Sequence, residues 1–303
     1  MKSVWLAIIV ALLSTGPQPA LGKGLPDKVT ARWDQLVKKH VRPTGGVDYA
    51  SLSRERAALQ GFIAAYDRLD LQPLSDAEKT AALINLYNAT MMENILRYAE
   101  SRKIDPATRA FTRLRVDKIE VPGGNIWNGD YKVRIGGIPV HLDDIEHGLI
   151  RGQASGTPLA ALKVRTLDAR IHAAVNCAAL SCPPVRREAY TAANLDRLLT
   201  ENMVQWVNDN RQFRKRDDGL RANSIVFWYY GDFEQAGRKA GLKGAGSWLA
   251  GFLKKTKDLD WKRRHLQEHL NNRNKAALYL DSDFKFHYEW LINDTRNITG
   301  SSS

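Results

Sequence analysis

The chain has 303 residues, of which 45 are lysine or arginine and 33 are aspartate or glutamate, giving a formal net charge of +12. Its 8 tryptophans and 44% hydrophobic residues exclude an intrinsically disordered chain, and 2 cysteines are too few to frame a disulfide-rich small protein. A single long apolar run excludes a polytopic membrane protein, and the length allows one large domain or two small ones.

The first predicted element is a cleavable signal peptide over residues 1–22. Lys2 precedes the apolar run from Val4 to Leu13, which is too short to span a bilayer, and Ala20-Leu21-Gly22 fits the small-residue cleavage rule. The mature chain is then expected to begin near Lys23 and to be periplasmic or secreted. An uncleaved membrane anchor and a buried core helix are the alternatives.

Helices dominate the first third of the mature chain. Apolar residues at helical spacing predict helices over 26–40 and 53–68. Ser75 and Glu78 form a helix-start pattern in which each side chain caps the backbone amide of the other, and this helix is expected to run to about Glu100. Its apolar residues lie nearly all round, which predicts a position in the core.

Short strands and helices are predicted to alternate in the remainder. Residues 131–142 alternate apolar and polar side chains around Gly136-Gly137, which predicts a β-hairpin. Residues 167–175 fit a strand or the start of a buried helix, and Ile225 to Tyr230 fits a strand. Further helices are expected at 142–151, 192–208 and 247–254.

The organisation that follows is one α+β domain over residues 26–292, with helices packed on an antiparallel sheet. No repeat or low-complexity linker divides the chain. The charged segment 255–275 is expected to be a surface excursion, and residues 293–303 are expected to be a disordered tail.

The positive charge is not accompanied by a nucleic-acid motif, because the sequence contains no zinc finger, RNA-recognition signature or persuasive helix-turn-helix. A nucleic-acid partner is therefore not expected. A basic surface that keeps the protein soluble is the default interpretation, and weak attraction to anionic lipids, polysaccharides or acidic peptides is the alternative. No motif predicts a cofactor, and nothing in the sequence indicates an oligomeric state.

The segment from Ile171 to Tyr190 carries the densest chemistry, because it holds both cysteines and His172. Cys177 is a nucleophilic thiol, or forms a disulfide with Cys182, or both are inert buried thiols. A metal site is a weaker alternative, because a fourth ligand is missing. Positions 172 and 177 face different sides of a regular helix or strand, so a thiol–imidazole pair needs a turn between them.

Other polar side chains extend this candidate site. His141 and His147 are alternative bases, and Glu146 either orients an imidazole or helps Asp143 to cap a helix. Buried amides must be hydrogen-bonded, so Asn85, Tyr87 and Asn88 in an otherwise apolar helix build either a structural network or a site. Arg186 is a further candidate for ligand binding.

His265 and Glu268-His269 match the pattern of inverted zinc peptidases. The surrounding sequence is highly charged and supplies little apolar packing, and a third ligand is not evident. We therefore predict no metal site.

These motifs together resemble the family called domain of unknown function 547. The departures are small: Ala82-Leu83 stands where an aromatic pair is usual, and Glu289 stands where aspartate is more typical. The resemblance covers most of the mature chain in the expected order. Its matching pieces are Gly45 to Tyr49, Ile84 to Ala89, Leu142 to His147, His172 with Cys177 and Cys182-Pro183, Glu188 to Tyr190, Tyr230 to Phe233, and Tyr288 to Asn293.

The resemblance implies a fold similar to papain- and transglutaminase-like thiol enzymes, with Cys177, His172 and Glu146 as the catalytic residues. Their order along the chain, acid then histidine then cysteine, differs from the usual order in such enzymes. It also implies binding of glutathione-like peptides. We therefore expect an exported thiol-dependent hydrolase or acyltransferase that acts on peptides. The alternative is a non-catalytic module that binds glutathione-like or anionic peptides, with Cys177–Cys182 as a structural disulfide.

Overall fold

A computed structural model describes residues 27–216, 219–271, 273, 278 and 284–298, so the predicted signal peptide lies outside the described residues. The amino-terminal part is helical, as predicted. It contains α1 (Asp27–His40), α2 (Tyr49–Ser53), α3 (Arg56–Ala64), a 3-10 turn (Ala65–Arg68) and α4 (Asp76–Ser101). Within the described part of the chain, no helix combines the length and the apolar character needed to cross a membrane.

Helix α4 is the centre of the larger core, and its start is the predicted capping box. The Glu78 amide donates to Ser75 Oγ at 3.3 Å, and the Ser75 amide donates to Glu78 Oε2 at 2.8 Å. Every residue from Lys79 to Met92 is buried, which confirms the prediction from the apolar pattern. Because a closely packed interior is rigid, this buried helix is a fixed support for the loops that pack against it.

The middle of the chain has little regular structure and forms two small antiparallel sheets. The predicted hairpin forms with Gly136 and Gly137 at φ values of 55° and 82°, a left-handed turn that favours glycine. A π-helical turn then covers Asp144–Ile150. The remaining elements are α5 (Arg109–Thr112), β1 (Glu120–Val121), β2 (Gly124–Asn125), β3 (Val133–Ile135), β4 (Ile138–Val140) and 3-10 turns at Val116–Lys118, Pro158–Ala161 and Ala169–Ala173.

The carboxyl-terminal part builds a second core around Trp206, Phe213 and Phe233. A three-stranded sheet lies beside it, in which the central strand pairs antiparallel with one neighbour and parallel with the other. The elements are α6 (Leu195–Asn208), β5 (Arg214–Arg216), β6 (Gly219–Asn223), α7 (Ile225–Trp228), α8 (Tyr230–Lys239), α9 (Ala245–Ala250), a 3-10 turn (Lys257–Leu259), α10 (Asp260–Leu270) and β7 (Phe284–His287).

The α+β class is therefore observed, but two details of the prediction are wrong. The helices do not pack on one antiparallel sheet, because the described strands form three small sheets and the largest is mixed. The segment from Ile225 to Tyr230 is helical rather than a strand. Asn223 Oδ1 accepts from the Ile225 amide at 2.9 Å, and the Tyr229 amide donates to the Ile225 carbonyl at 3.0 Å, so local bonds satisfy this apolar run.

Segment 255–275 is more integrated than its charge suggests. Lys262, Leu266 and Leu270 on α10 are each 0% exposed. A Cβ placed on Gly246 of α9 would lie 1.9 Å from the Leu266 carbonyl oxygen, so α9 and α10 are in direct backbone contact. The expected surface excursion is therefore a packed helix in its described part.

The folded chain also continues past the predicted boundary at residue 292. Asn293 and Asp294 are buried, and the Thr295 amide donates to the Val47 carbonyl at 3.0 Å. Residues 293–298 therefore pack against the amino-terminal part, and the prediction of a tail from residue 293 starts too early. Residues 299–303 lie outside the described part.

Candidate functional site

A network of asparagine side chains shapes the loop that carries Cys177. The Asn88 amide group donates to the Ala174 carbonyl at 3.0 Å, and Asn88 Oδ1 accepts from the Asn176 backbone amide at 2.8 Å. Asn176 in turn donates to the Pro183 carbonyl at 2.7 Å. Because Asn88 lies on the buried helix α4, these bonds fix the loop relative to the core.

Cys177 and Cys182 are joined by a disulfide bond, one of the alternatives left open by the sequence. The hydroxyl of Tyr288 lies 2.9 Å from each sulfur, so a residue near the carboxyl terminus completes the environment of the bond. Cys182 is 5% exposed, whereas Cys177 is only partly buried. Cys177 is therefore the sulfur more open to a reactant.

The disulfide forms part of the wall of a cavity of about 340 Å³. Aromatic rings make up most of its surface, together with two carboxylates and two imidazoles. The 3-10 turn Ala169–Ala173 provides the change of direction that brings His172 and Cys177 into one cavity. The lining residues are Tyr87, Trp127, Asp143, Glu146, His147, His172, Val175, Cys177, Cys182, Ile225, Trp228, Tyr229, Tyr288 and Trp290.

His172 is held by a carboxylate on one side of its ring. Its Nε2 lies 2.8 Å from Asp232 Oδ2, and its ring stacks on Tyr229 with centroids 3.9 Å apart. A carboxylate only accepts hydrogen bonds, so Nε2 carries the proton and Nδ1 is an acceptor. Nδ1 is buried and has no hydrogen-bond partner among the described residues. Burial lowers the pKa of His172, with Asp232 opposing that shift, so the neutral base is favoured.

Asp232 is the functional residue that the sequence argument missed. Arg151 binds it with two hydrogen bonds, from Nε at 2.8 Å and from Nη2 at 3.2 Å. Burial would raise the pKa of Asp232, but the hydrogen bonds from His172 and Arg151 prevail and lower it to about 2. The available signal was the segment Tyr230 to Phe233, which belongs to the family resemblance but received no role.

Glu146 lies in the same cavity but does not orient His172, so the predicted triad is corrected at its third member. The π-helical turn buries Glu146 at 5% exposure, where its Oε1 accepts from the Tyr229 hydroxyl at 2.5 Å. Burial, followed by the charge of Glu146, raises the pKa values of the Tyr87 and Tyr229 phenols. Both phenols therefore stay protonated as hydrogen-bond donors next to this carboxylate.

Three predicted binding residues lie outside the cavity lining. Asn85 accepts from the Trp33 indole at 3.1 Å and donates to the Tyr190 carbonyl at 2.7 Å, and Asn88 holds the cysteine loop as described above. Both amides serve the structural network that was the alternative interpretation. Arg186 pairs with Glu201 and lines a different cavity, of about 690 Å³. Tyr87 is the one of the four predicted binding residues that reaches the site.

The other candidate bases and capping groups have local partners. His141 Nδ1 lies 2.9 Å from Asp144 Oδ2, which also accepts from the His141 backbone amide. Asp143 precedes the π-helical turn but makes no side-chain capping bond to it. His265 Nδ1 lies 2.8 Å from the Trp261 carbonyl. Among the described residues, no three His, Cys, Asp or Glu side chains are grouped closely enough to hold a metal ion.

A second cavity, of about 420 Å³, shares Cys182 and Tyr288 with the first but has a basic wall. Arg211, Arg214, Arg221 and His287 contribute to it. In the description that follows, the cavity that contains His172 is called the aromatic cavity, and this second one is called the basic cavity.

Comparison with known proteins identifies the family of the central segment. Residues 71–207 match the family described as "Protein of unknown function, DUF547", a range that includes α4, Glu146, His172 and both cysteines. The comparisons with curated proteins and with solved structures found no match. Asp232, which bonds to His172, and Tyr288, which lines the aromatic cavity, both lie beyond the matched range. The chain therefore contains a domain of the DUF547 family.

Proposed function

We propose that this protein is an exported thiol-dependent hydrolase or acyltransferase that acts on peptides through Cys177. The observation that carries the proposal is the state of His172. Its Nε2 is bonded to Asp232, its Nδ1 is an acceptor without a described partner, and its ring lines the same cavity as Cys177. A histidine that is oriented by a carboxylate is the base that activates a cysteine nucleophile in thiol enzymes, and His172 and Cys177 line one cavity.

In this mechanism His172 Nδ1 takes the proton of the Cys177 thiol, and the thiolate attacks the acyl carbon of a peptide or isopeptide. The bond to the leaving amine breaks, and the imidazolium returns its proton to that amine. Water then hydrolyses the acyl-cysteine, or a second amine accepts the acyl group. Asp232 is a positioning residue, because it holds the proton on Nε2 and stabilises the imidazolium.

Catalysis requires Cys177 as a thiol, so the disulfide is the resting form in this proposal. A dithiol reductant supplies two electrons and two protons, becomes a disulfide itself, and leaves Cys177 and Cys182 as two thiols. A disulfide in the resting form is compatible with an oxidising compartment such as the periplasm, which is where the predicted signal peptide would deliver the chain.

The pair Cys182→Ser and Cys177→Ser tests this mechanism with a matched control. The probe is p-nitrophenyl acetate, and mass spectrometry detects transfer of its acetyl group to the protein. Cys182→Ser leaves Cys177 permanently as a thiol, so we expect acetylation without reductant at Cys177. Wild type should require a dithiol, and Cys177→Ser should stay unmodified within the cavity under both conditions. Equal labelling of the two variants contradicts the mechanism.

The alternative function is a non-catalytic binding module with a structural disulfide. It is favoured by one observation, the contact of the Tyr288 hydroxyl with both sulfurs at 2.9 Å, because this contact fits the oxidised pair. Under this alternative, Cys182→Ser is not acetylated faster than a free cysteine in solution. The relation of the fold to papain- and transglutaminase-like enzymes belongs to the catalytic proposal, and a base held by a carboxylate beside a cysteine is the feature that supports it.

A further inference from the structure

The charge of the aromatic cavity is opposite to that of the whole protein. Asp143 and Glu146 line it, and among the residues that the structure describes neither lysine nor arginine does. The Glu146 side chain is buried, and Asp143 Oδ1 lies 4.0 Å from His147 Nε2. A ligand in this cavity therefore meets carboxylates within a protein of formal charge +12.

The nearby cation does not neutralise these carboxylates, because it is committed elsewhere. Arg151 makes two hydrogen bonds to Asp232 and donates from Nη1 to His147 Nδ1 at 2.9 Å. A guanidinium only donates, so His147 Nδ1 is the acceptor of this bond. Arg151 and Asp232 balance each other, which leaves Asp143 and Glu146 as the carboxylates that line the cavity without a lysine or arginine beside them in its lining. Burial raises the pKa of Asp143.

Four aromatic rings form the remaining wall in a continuous cluster. Tyr288 and Trp290 have ring centroids 4.4 Å apart, Trp228 and Trp290 are 5.6 Å apart, and Trp127 and Trp290 are 5.8 Å apart. Trp228 is 38% exposed, so the cluster reaches the surface. The faces of such rings attract cations, and a carboxylate nearby adds to the attraction.

We propose that the aromatic cavity binds a primary ammonium group carried on an aliphatic chain, such as the side chain of a lysine-containing peptide. The aromatic rings contact the methylene groups, Asp143 and Glu146 accept from the ammonium, and His172 and Cys177 line the same cavity. This inference rests on the proposed function, because it names the substrate class of the same site. It replaces the expected anionic peptide with a cationic one.

The test uses the full chain in its disulfide form and three ligands that share a backbone and differ in their side chains. They are the N-acetyl methylamides of lysine, of 6-hydroxynorleucine, its neutral counterpart, and of glutamate. Dissociation constants are measured by ligand-observed nuclear magnetic resonance. We expect the lysine derivative to bind about tenfold more tightly than the neutral one, and the glutamate derivative to bind most weakly. Equal affinity for the lysine and neutral derivatives overturns the inference, and so does a preference for glutamate that persists when the basic cavity is changed by Arg214→Ala.

A variant pair places the preference in this cavity. Asp143→Asn removes one charge from a partly exposed side chain and should reduce the preference for lysine about threefold or more. Asp130→Asn removes the same charge from an exposed position outside the cavity lining and should leave it unchanged. An equal effect of both variants contradicts the assignment. Because binding is measured without turnover, failure of Cys177 acetylation would refute the catalytic proposal and leave this result intact.

Discussion

The aromatic cavity and the basic cavity share Cys182 and Tyr288, yet they are suited to opposite ligands. The aromatic cavity has carboxylates and imidazoles among aromatic rings. The basic cavity has three arginines and His287, with Glu289 as its carboxylate. The positive net charge of the chain has the same sign as the side chains of the basic cavity and the opposite sign to the carboxylates of the aromatic cavity. The comparison teaches that the charge of a protein is a property of its surface, whereas the charge of a site follows from a few local partners.

The two cavities also differ in reactive groups. His172, Glu146 and Cys177 line the aromatic cavity, and the basic cavity receives only Cys182 of the disulfide. If chemistry is confined to the aromatic cavity, variants of its polar residues affect reactivity, and matched variants in the basic cavity do not.

Asp232→Asn should have the largest effect. Loss of the carboxylate removes the group that orients His172, so acetylation of reduced Cys177 is expected to slow by at least about a hundredfold. Glu289→Gln is the matched change in the basic cavity and should alter the rate less than about twofold. Rates of p-nitrophenol release measure both, and thermal unfolding checks that each variant is folded. A similar loss of acetylation rate in Glu289→Gln would show that the chemistry is not confined to the aromatic cavity.

Reduction of the disulfide should destabilise the protein by about 2 kcal/mol, because the bond closes a short loop in the unfolded chain. Urea unfolding with and without a dithiol measures the difference in the free energy of unfolding. With or without the dithiol, the double variant Cys177→Ser/Cys182→Ser should have the lower free energy of unfolding that is expected of the reduced wild type. If reductant changes nothing in the wild type, the bond does not contribute to the fold that both cavities share.

Acidification should destabilise the aromatic cavity through His172. Burial lowers the pKa of His172 below the ordinary 6.5, so as the pH falls below 6.5 the unfolded chain takes up a proton that the folded chain does not. The contribution of His172 to the free energy of unfolding is complete above that pH. As the pH falls below it, the contribution decreases by at most about 1.4 kcal/mol per pH unit.

The variant His172→Asn isolates this contribution. Burial also lowers the pKa values of His40 and His287, so some dependence on pH remains in the variant. Urea unfolding between about pH 5 and pH 7 should therefore give a shallower slope in His172→Asn than in wild type. Identical slopes would mean that the pKa of His172 is the same in the folded and the unfolded protein, which contradicts the lowering by burial.

Arg214→Ala should have the smallest effect and should act on the basic cavity alone. Arg214 is an exposed lining residue, so its loss is expected to weaken binding of the N-acetyl glutamate derivative about threefold. Binding of the lysine derivative should stay within a factor of about two. The same titrations measure both ligands. Weaker binding of the lysine derivative would show that its ammonium group binds in the basic cavity.

Local sequence signals predicted the elements that local forces determine. The Ser75 and Glu78 capping box, the buried face of α4 and the glycine turn at Gly136-Gly137 all depend on residues close together in the chain. The segment from Ile225 to Tyr230 was predicted wrongly because a short apolar run fits a strand and a buried helix equally well. Its helical form depends on the side chain of Asn223, which no periodicity reveals.

The site was predicted where a motif or a polar residue in an apolar helix stood out, and missed at Asp232, to which no such signal gave a role. Cys177, His172, Glu146 and Tyr87 reach one cavity as expected. Asp232 lies 60 residues after His172, so neither spacing nor helical pattern could assign it as the partner. The acidic character of the cavity depends on the pairing of Arg151 with Asp232. That contact could not be predicted from the composition of the chain.

If His172 is the base that acts on Cys177, the alkylation of Cys177 depends on pH through that imidazole. In Cys182→Ser, the rate of reaction with iodoacetamide should follow a thiol pKa well below the ordinary value of about 8.5, because the neighbouring imidazole accepts its proton. In Cys182→Ser/His172→Asn, the pKa should return to about 8.5 or rise above it. Identical profiles for the two variants would contradict the account.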